Sequence, residues 1–418
     1  MNRISFSVSK SPMKVSPKAY VSLFSGAGGL DLGLERAGWR TAYASDNDAN
    51  AVETLKANVG RSLGRGRRAF DQTFIERADV QTQSAESILG KAGLAKGEVS
   101  LLAGGPPCQS WSSAGHQLGF DDPRGRLFDD FVRIAKGLDA RWLLIENVRG
   151  LLTARGPDGK PGSALDLIRR HLLKAGFQTS VALLNAADFG VPQRRVRLFV
   201  VGFQSGDAPP FPIPTHSKQP GLEGDAPWVT LRQVLAGVPD LTPNEIFRPT
   251  GKLAEELANI PPGSGVKSPG KSERTRPNGH WGYKQGAFVA DLEQSARTVT
   301  ANAQQDWIRD EVRGLRRLAP RECAAIQSFP TSWQFAGTIA AQYRLIGNAV
   351  PPLLAEAIGK SLLAHTQSVE SPRQGKFSDL IPLPAKLAYH IRYTSREELS
   401  NGQSRREAPK RRNSRIAI

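Results

Sequence analysis

The sequence predicts an α/β fold, in which a mixed but mostly parallel β-sheet carries helices on both faces, together with a smaller, irregular domain. Three observations lead to this prediction. Short apolar runs alternate with amphipathic segments from residue 20 to about residue 201, a pattern typical of parallel sheets. Residues 205–300 lose that periodicity and are punctuated by proline and glycine. A chain of 418 residues is long enough for both units.

Six apolar runs account for the predicted strands, which span residues 20–24, 41–45, 99–103, 142–146, 180–184 and 198–201. Amphipathic segments predict helices over residues 30–37, 49–58, 127–137 and 164–175, and a last helix over about 353–365. We therefore divide the chain into a flexible N-terminus at 1–18, a main domain at 19–203, a small domain with its support at 204–340, a closing helix at 341–366 and a basic, disordered tail at 367–418. Ligands of such sheets bind beyond the carboxyl ends of the strands, so the loops there should carry the chemistry.

The charge of the chain points to a polyanionic partner, most simply nucleic acid. The formal net charge is +17, and arginines cluster at residues 61–68 and, with a lysine, at 405–415. A basic tail can bind nucleic acid without sequence preference, but solvated disorder is the interpretation that we favour for the end of the chain. Residues 264–288 mix cations with Trp281 and Tyr283, which suits DNA contact and an ordinary exposed loop equally.

Cysteine usage and apolar runs exclude several classes of protein. Two cysteines, Cys108 and Cys323, cannot form a disulfide framework, so we expect a reducing, intracellular setting. Neither cysteine nor histidine shows zinc-ligand spacing, and no metal is predicted. No apolar run approaches the ~20 residues of a membrane helix, and the N-terminus lacks a signal core. We expect a cytoplasmic protein without membrane contact.

The loop after the first predicted strand has the composition of a nucleotide-binding turn. Its sequence over residues 24–30 is Phe-Ser-Gly-Ala-Gly-Gly-Leu, and glycines there let the backbone approach a ligand closely. Asp46 and Asn47 follow the second strand, where a carboxylate commonly accepts hydrogen bonds from ribose hydroxyls. The loop lacks a phosphate-cradling Gly-Lys-Ser/Thr, which favours a nucleoside cofactor without phosphates. Asp79 and Val80 extend the predicted pocket.

Cys108 follows an apolar strand, two glycines and two prolines. Pro106 and Pro107 fix their φ angles and remove two backbone donors, which stiffens the turn before the thiol. A thiol at such a place is well positioned for nucleophilic attack, but a free cysteine is usually a small buried hydrophobe. The local sequence leaves both interpretations open.

Two further segments place charge at the same edge of the sheet. Glu146 ends an apolar run, where partial burial favours a raised pKa, although Glu146 or Asn147 could instead cap a helix. Arg195 and Arg197 alternate as a strand begins and so share a face. Two guanidinium groups on one face repel each other unless they serve an anion or a polar ligand.

These motifs occur in an order that resembles the cytosine-C5 DNA methyltransferases of bacterial restriction–modification systems. The matching segments are Phe-Ser-Gly-Ala-Gly-Gly at 24–29, Gly-Gly-Pro-Pro-Cys-Gln at 104–109, Glu-Asn-Val at 146–148, Gln-x-Arg-x-Arg at 193–197, Pro-Arg-Glu at 320–322 with Gln-Ser-Phe-Pro at 327–330, and Tyr-Arg-Leu-Ile-Gly-Asn-Ala-Val-Pro-Pro at 343–352. The resemblance covers roughly residues 19–365, apart from the region near 205–300. Six ordered motifs are specific as a set, although any one could arise by chance.

The resemblance implies a Rossmann-like enzyme that transfers a methyl group from S-adenosylmethionine to carbon 5 of a flipped cytosine in a specific duplex DNA sequence. It implies that Cys108 is the nucleophile and that Glu146 binds the cytosine edge. It also implies that Arg195 and Arg197 hold the O2 edge and the local phosphate. The implied cofactor-binding residues are Phe24, Ser25, Gly26, Gly28, Gly29, Leu30, Asp46, Asn47, Asp79, Val80, Pro106, Asn348 and Ala349. The implied DNA contacts are Gln109, Ser112, Gln193 and Arg194.

By the same resemblance we expect a monomer in a bacterial cytoplasm, bound to duplex DNA and acting beside a restriction endonuclease, with residues 205–300 reading the target. One alternative is an RNA cytosine methyltransferase, but the transfer-RNA branch carries a Cys-Phe-Thr signature that this chain lacks. Another is a non-catalytic DNA-binding module, although the complete catalytic set argues against decay. An unrelated cofactor-dependent methyltransferase would not explain why Cys108, Glu146 and Arg197 occur together.

Overall fold

The computed structural model describes residues 18–64, 66–107, 126–221, 225–269, 286–368 and 377–394, and its centre is a seven-stranded mixed sheet. The strands of these residues are β1 Ala19–Leu23, β2 Arg40–Asp46, β3 Ser62–Gly64, β4 Arg67–Arg68, β5 Phe74–Arg77, β6 Leu101–Gly104, β7 Trp142–Val148, β8 Gln178–Asn185, β9 Val196–Phe203, β10 His216–Ser217, β11 Ala226–Pro227, β12 Ser264–Gly265, β13 Phe288–Val289, β14 Trp307–Asp310 and β15 Gly314–Arg317. The order in the central sheet is β5-β2-β1-β6-β7-β9-β8. Its first five strands are parallel, and β9 runs antiparallel to both β7 and β8. The predicted fold class is confirmed.

Helices cover both faces of this sheet. The helices of the described residues are α1 Gly29–Ala37, α2 Ala49–Ala57, α3 Ala85–Ala92, α4 Arg126–Leu138, α5 Ser163–Lys174, α6 Leu231–Leu235, α7 Gly251–Ala258, α8 Pro320–Ile326, α9 Ile339–Asn348, α10 Pro352–Ser368 and a helix at 385–394, here α11. On one face, Leu34 of α1 and Leu354 of α10 are fully buried. On the other face, α3, α4 and α5 bury apolar side chains such as Phe131. Because β1, β6 and β7 are covered on both sides, their sequences are almost wholly apolar.

Two elements of the central layer, β5 and α3, have no counterpart among the predicted ones. β5 is an edge strand with the sequence Phe-Ile-Glu-Arg, and its Phe74 is 40% exposed. An edge strand does not need a continuous apolar run, so its sequence gave no strand signal. The helix α3 has eight residues, and its N-cap Ser84 accepts a hydrogen bond from the Ser87 N–H at 3.1 Å. A helix of two turns is too short for a clear period to emerge.

The small domain contains a second sheet, in the order β12-β13-β14-β15. Its apolar cluster is formed by Leu257, Ile260, Val289 and Trp307. The strands β12 and β13 have two residues each, which is too short for alternation to show in the sequence. Most of the cation- and aromatic-rich stretch falls at residues 270–285, outside the described residues. The proposed boundary at residue 204 stays a prediction.

The last helix predicted over about 353–365 is confirmed as α10, but the closing segment at 341–366 is not one helix. The structure has two helices there, α9 and α10, joined by residues 349–351. Pro351 and Pro352 stand at the break, because proline cannot continue a helix. The joining turn packs on α1, where a Cβ atom on Gly29 would lie 2.2 Å from the carbonyl oxygen of Val350.

The disordered tail predicted from residue 367 is also corrected, since residues 377–394 pack on the main domain. Leu387 of α11 is buried in the apolar cluster beneath α5. The carbonyl oxygen of Asp379 accepts a hydrogen bond from Gln178 at 2.7 Å, and the ring of Phe377 lies 5.7 Å from that of Phe203. The anchoring residues are isolated among prolines and polar residues, so no periodic pattern revealed them. The rest of the predicted tail lies outside the described residues.

Every helix within the ranges given above is too short or too polar to cross a lipid bilayer.

Candidate functional site

A cavity of about 430 Å³ opens where β1, β2, β6 and β7 end. Parallel strands deliver the loops that follow them to one edge of a sheet, and the turn after α9 completes the wall. The predicted site residues that line the cavity are Phe24, Ser25, Gly26, Gly29, Leu30, Asp46, Asn47, Asp79, Val80, Pro106, Glu146, Arg195, Arg197, Asn348 and Ala349. The structure thus brings together the residues predicted for cofactor and for cytosine in one continuous space.

The backbone of the loop after β1 is hydrogen-bonded to Asp46, the acid that ends β2. Gly26 has a φ of +54°, and its N–H donates to Oδ2 of Asp46 at 2.8 Å. Oδ1 of the same carboxylate accepts from the N–H of Asp48 at 2.9 Å. Burial raises the pKa of Asp46, and these backbone hydrogen bonds partly offset that rise. The acid is therefore held at a fixed place in the cavity wall.

Gly28 does not line the cavity, so its predicted contact with a cofactor is not supported. This residue is the N-cap of α1 and has a φ of +76°. A Cβ atom there would lie 2.7 Å from Cδ2 of Leu55 and 3.1 Å from the ring of Phe70. Glycine is needed at this position for close packing of α1 and for the left-handed backbone.

Glu146 and Arg197, which both line the cavity, form an ion pair. Their Oε1 and Nε atoms are 3.1 Å apart, and their side chains are only 13% and 14% exposed. Burial raises the pKa of the Glu146 carboxyl, whereas the charges of Arg197 and Arg195 act to lower it. A carboxyl group with a raised pKa at a ligand edge is suited to donate a proton or a hydrogen bond as well as to accept one.

The turn that leads to Cys108 is held against this carboxylate. Nδ2 of Asn147 donates to the carbonyl oxygen of Pro106 at 3.1 Å. A Cβ atom on Gly105 would lie 3.2 Å from Oε2 of Glu146. Asn147 thus joins the end of β7 to the Pro106–Pro107 turn, which is a positioning role and not a helix cap. Cys108 itself, with Gln109 and Ser112, lies outside the described residues.

Comparison with known proteins identifies the family of this chain. The sequence model of the C-5 cytosine-specific DNA methylase family matches residues 19–364. The chain belongs to this family. Type II methyltransferase M.FnuDI of Fusobacterium nucleatum is 32% identical to it over 364 residues, which cover 82% of this chain and 93% of that protein. Type II methyltransferase M1.HphI of Haemophilus parahaemolyticus is also 32% identical, with 86% and 90% covered.

Solved structures share the fold of this methyltransferase at low sequence identity. A Spodoptera frugiperda DNMT2 variant has a TM-score of 0.57 and 17% identity, covering 82% of this chain and 99% of that one. The Dnmt2 methyltransferase of S. pombe has a TM-score of 0.56 and 14% identity, with 84% and 100% covered. At this identity the likeness concerns the fold alone.

The predicted DNA contact of Gln193 is not supported by its position in the enzyme. Its side chain is completely buried. Oε1 accepts from the N–H of Val299 at 2.8 Å, and Nε2 donates to Oε1 of Gln327 at 2.8 Å. Both ends of the amide are therefore engaged inside the protein, where Gln193 joins the strand entry to the small domain. Arg194, which is partly buried beside it, remains only a predicted DNA contact.

Arg195 lines the cavity but is 1% exposed, and its guanidinium is directed at backbone. It donates to the carbonyl oxygen of Val299 at 3.0 Å and to that of Gly347 at 2.7 Å. The predicted direct hold on the cytosine is therefore not supported for this residue. Arg195 therefore links the start of β9 to the backbone at Val299 and to the end of α9. Arg197 is the arginine that forms the ion pair with Glu146.

Several residues of the cavity wall were not anticipated from the sequence. Among them are Asp48, Gln83, Leu127 and Arg344. Arg344 stands one helical turn before Asn348 on α9, so the spacing of four residues could have revealed it once Asn348 was placed in the pocket. Gln83 and Leu127 come from segments with no motif, and only the fold brings them to the cavity.

Proposed function

We propose that this DNA cytosine-5-methyltransferase acts on a cytosine flipped out of a specific duplex sequence, through a transient covalent bond to Cys108. The observation that carries the proposal is the buried pair of Glu146 and Arg197, which shares one cavity with the loop after β1 and with the turn that precedes Cys108. Carbon 6 of a stacked cytosine is out of reach of such a cavity, so the base must leave the helix at a cost of a few kcal/mol.

The cavity residues fit S-adenosylmethionine as cofactor. Asp46 offers a fixed carboxylate to ribose hydroxyls, and the backbone of residues 24–30 can approach the ligand because of its glycines. Asn348 would close the opposite side. The cofactor, when bound, supplies the methyl group that carbon 5 receives.

The chain's own residues would carry the remaining steps. The Cys108 thiolate forms a bond to carbon 6, and the displaced electron pair makes carbon 5 nucleophilic. Protonated Glu146 would donate to N3 and accept from the exocyclic amine, which offsets the negative charge that develops on the ring, while Arg197, paired with the same carboxyl group, would hold the O2 edge and the local phosphate. After methylation a base, water being one candidate, takes the proton from carbon 5, and the carbon–sulfur bond breaks.

We further propose duplex DNA as substrate, a monomeric enzyme in the bacterial cytoplasm that associates with the nucleoid through its DNA, and protection of that DNA from a partner restriction endonuclease. The net charge of +17 supports the polyanionic substrate. The endonuclease is inferred from relatives that are named Type II methyltransferases.

The test is trapping of the covalent intermediate. The enzyme is incubated with S-adenosylmethionine and a duplex that carries 5-fluorocytosine at the methylated position, which bisulfite sequencing of expressing cells would identify. We expect an adduct that survives denaturant for the wild-type protein and none for Cys108→Ser. Absence of an adduct, or its formation without the Cys108 sulfur, contradicts the mechanism.

A parallel assay separates the possible substrates. Transfer of a tritiated methyl group is measured on DNA and on RNA, with Cys108→Ser as control. We expect transfer to DNA alone, and the variant should keep DNA binding. Labelling of RNA would favour the RNA methyltransferase, and no labelling of either would favour the non-catalytic module.

A further inference from the structure

Arg344 and Asp48 face each other across the wall of the cofactor cavity. Nη2 of Arg344 lies 2.6 Å from Oδ2 of Asp48, and both residues line the cavity. Asp48 also ties the loop after β2 together, because its N–H donates to Asp46 and its Oδ1 accepts from the N–H of Asn50, capping α2. Arg344 belongs to α9, whose residue Asn348 also lines the cavity.

The segment that leads into α9 follows α2 along its length. Nδ2 of Asn58 donates to the carbonyl oxygen of Gln334 at 2.8 Å, and the N–H of Ala336 donates to Oγ1 of Thr54 at 2.9 Å. These bonds lie beside the second half of α2, away from the cavity. The pair of Arg344 and Asp48 also joins these two parts of the chain, and both of its residues lie in the cavity wall.

We infer that the ion pair of Arg344 and Asp48 is a clasp that holds the α9 wall against the loop after β2 and thereby slows release of the cofactor. The inference rests on the proposed S-adenosylmethionine site. Both residues are positioning residues. Asp48 acts through Asp46, to which its N–H donates, and Arg344 acts through Asn348 on the same helix. Because Arg344 is 48% exposed and Asp48 is 27% exposed, solvent screens the pair and its effect should be modest.

A double-mutant cycle on the product complex tests the clasp. S-adenosylhomocysteine does not react, so its Kd can be measured by calorimetry and its dissociation rate by rapid mixing. Asp48→Asn removes the charge and keeps an oxygen that can cap α2, since asparagine is a good N-cap. We expect this variant and Arg344→Gln each to raise the Kd about three- to fivefold through faster dissociation, as for a screened ion pair. The double variant should lose no more than either single one.

Arg344→Lys should bind S-adenosylhomocysteine almost as tightly as the wild type does. The difference in Kd between the wild type and Arg344→Gln should shrink at high salt. The matched control is Arg170→Gln, which breaks the exposed pair with Asp166 on α5 and should leave the Kd unchanged. In turnover, KM for the methyl donor should rise while kcat on saturating DNA holds.

Two results would overturn the clasp. The first is an unchanged Kd in both single variants. The second is a Kd in the double variant that rises by the product of the two single fold-changes, since independent effects multiply in this way. A wild-type protein that fails to bind S-adenosylhomocysteine would instead overturn the cofactor assignment, so the two failures are distinguishable.

Discussion

Glu146 shows how one residue acquires its chemistry from its surroundings. The side chain is almost buried, its pKa is raised by that burial, and Arg197 supplies the opposing charge. The Asn147 side chain next to it holds the turn before Cys108. A motif of three residues, Glu-Asn-Val, therefore contributes both the buried carboxyl group that we propose binds the base and the amide that holds the turn before Cys108.

At this scale we predict that Glu146→Gln lowers the rate of methyl transfer about a hundredfold or more, the usual contribution of a positioned proton donor. Glutamine keeps the shape of the side chain but cannot exchange a proton with the base. The measurement is single-turnover methylation of a duplex, with DNA affinity and S-adenosylhomocysteine affinity as controls that should stay close to wild type. Turnover at the wild-type rate would exclude the assigned role.

At the scale of elements, the segment at 377–394 lies beyond the part of the chain that the family model matches, which ends at residue 364. It crosses the start of β8, where Gln178 bonds to the backbone of Asp379 and Ile381. It then packs α11 beside Gly162, at the start of α5, where a Cβ atom would meet Ile391 at 2.9 Å. The segment thus covers part of an edge strand that would otherwise be open to pairing with another chain.

If this packing stabilises the main domain, Leu387→Ala should lower the free energy of unfolding by about 2–4 kcal/mol, as for other buried leucines. Tyr389→Ala, on the exposed side of the same helix, is the matched control and should change it by no more than about 0.5 kcal/mol. Both are read from urea unfolding. Equal effects of the two variants would show that α11 does not pack as described.

At the scale of the whole molecule, a buried polar network joins β1, α1 and β2. The Tyr20 hydroxyl donates to Asp31 at 3.0 Å, and the Thr41 hydroxyl lies 2.7 Å from both Tyr20 and Oε1 of Glu35. Thr41 has one proton to donate, so a protonated Glu35 completes the chain of hydrogen bonds. Burial raises the pKa of Asp31 to about 6 and that of Glu35 to about 7.

This network should make the protein less stable as the pH rises. Folded-state pKa values above the ordinary ones mean that the folded chain binds more protons than the unfolded chain, so the free energy of unfolding falls between roughly pH 4 and 7. Carboxylates with lowered pKa, such as Asp310 at about 2, act in the opposite sense, at lower pH. Between pH 5 and 7.5, the free energy of unfolding of the wild-type protein should fall by roughly 2 kcal/mol more than that of Glu35→Gln. The measurement is urea unfolding of both proteins across this pH range. The same pH dependence in the wild type and in Glu35→Gln would contradict the prediction.

Much of the site could be predicted because its motifs lie at strand ends, and parallel strands bring such ends together. Asp46, Glu146 and Pro106 were placed correctly in the cavity for that reason. The roles predicted for Gln193 and Arg195 are not supported, because the same motif spacing suits a side chain that faces a ligand and one that bonds to groups inside the protein. Which of the two occurs depends on residues near 299, 327 and 347, far along the chain.

The sequence by itself determined the α/β class, the strands of the sheet centre and the family, because buried strands must be apolar and because six family motifs occur along the chain in order. Only the tertiary structure decided which arginine meets Glu146, that Gly28 serves packing, that Arg344 reaches Asp48, and that residues 377–394 are bound to the main domain. Those outcomes depend on long-range contacts, and a contact between distant segments leaves no periodic or local pattern in either one.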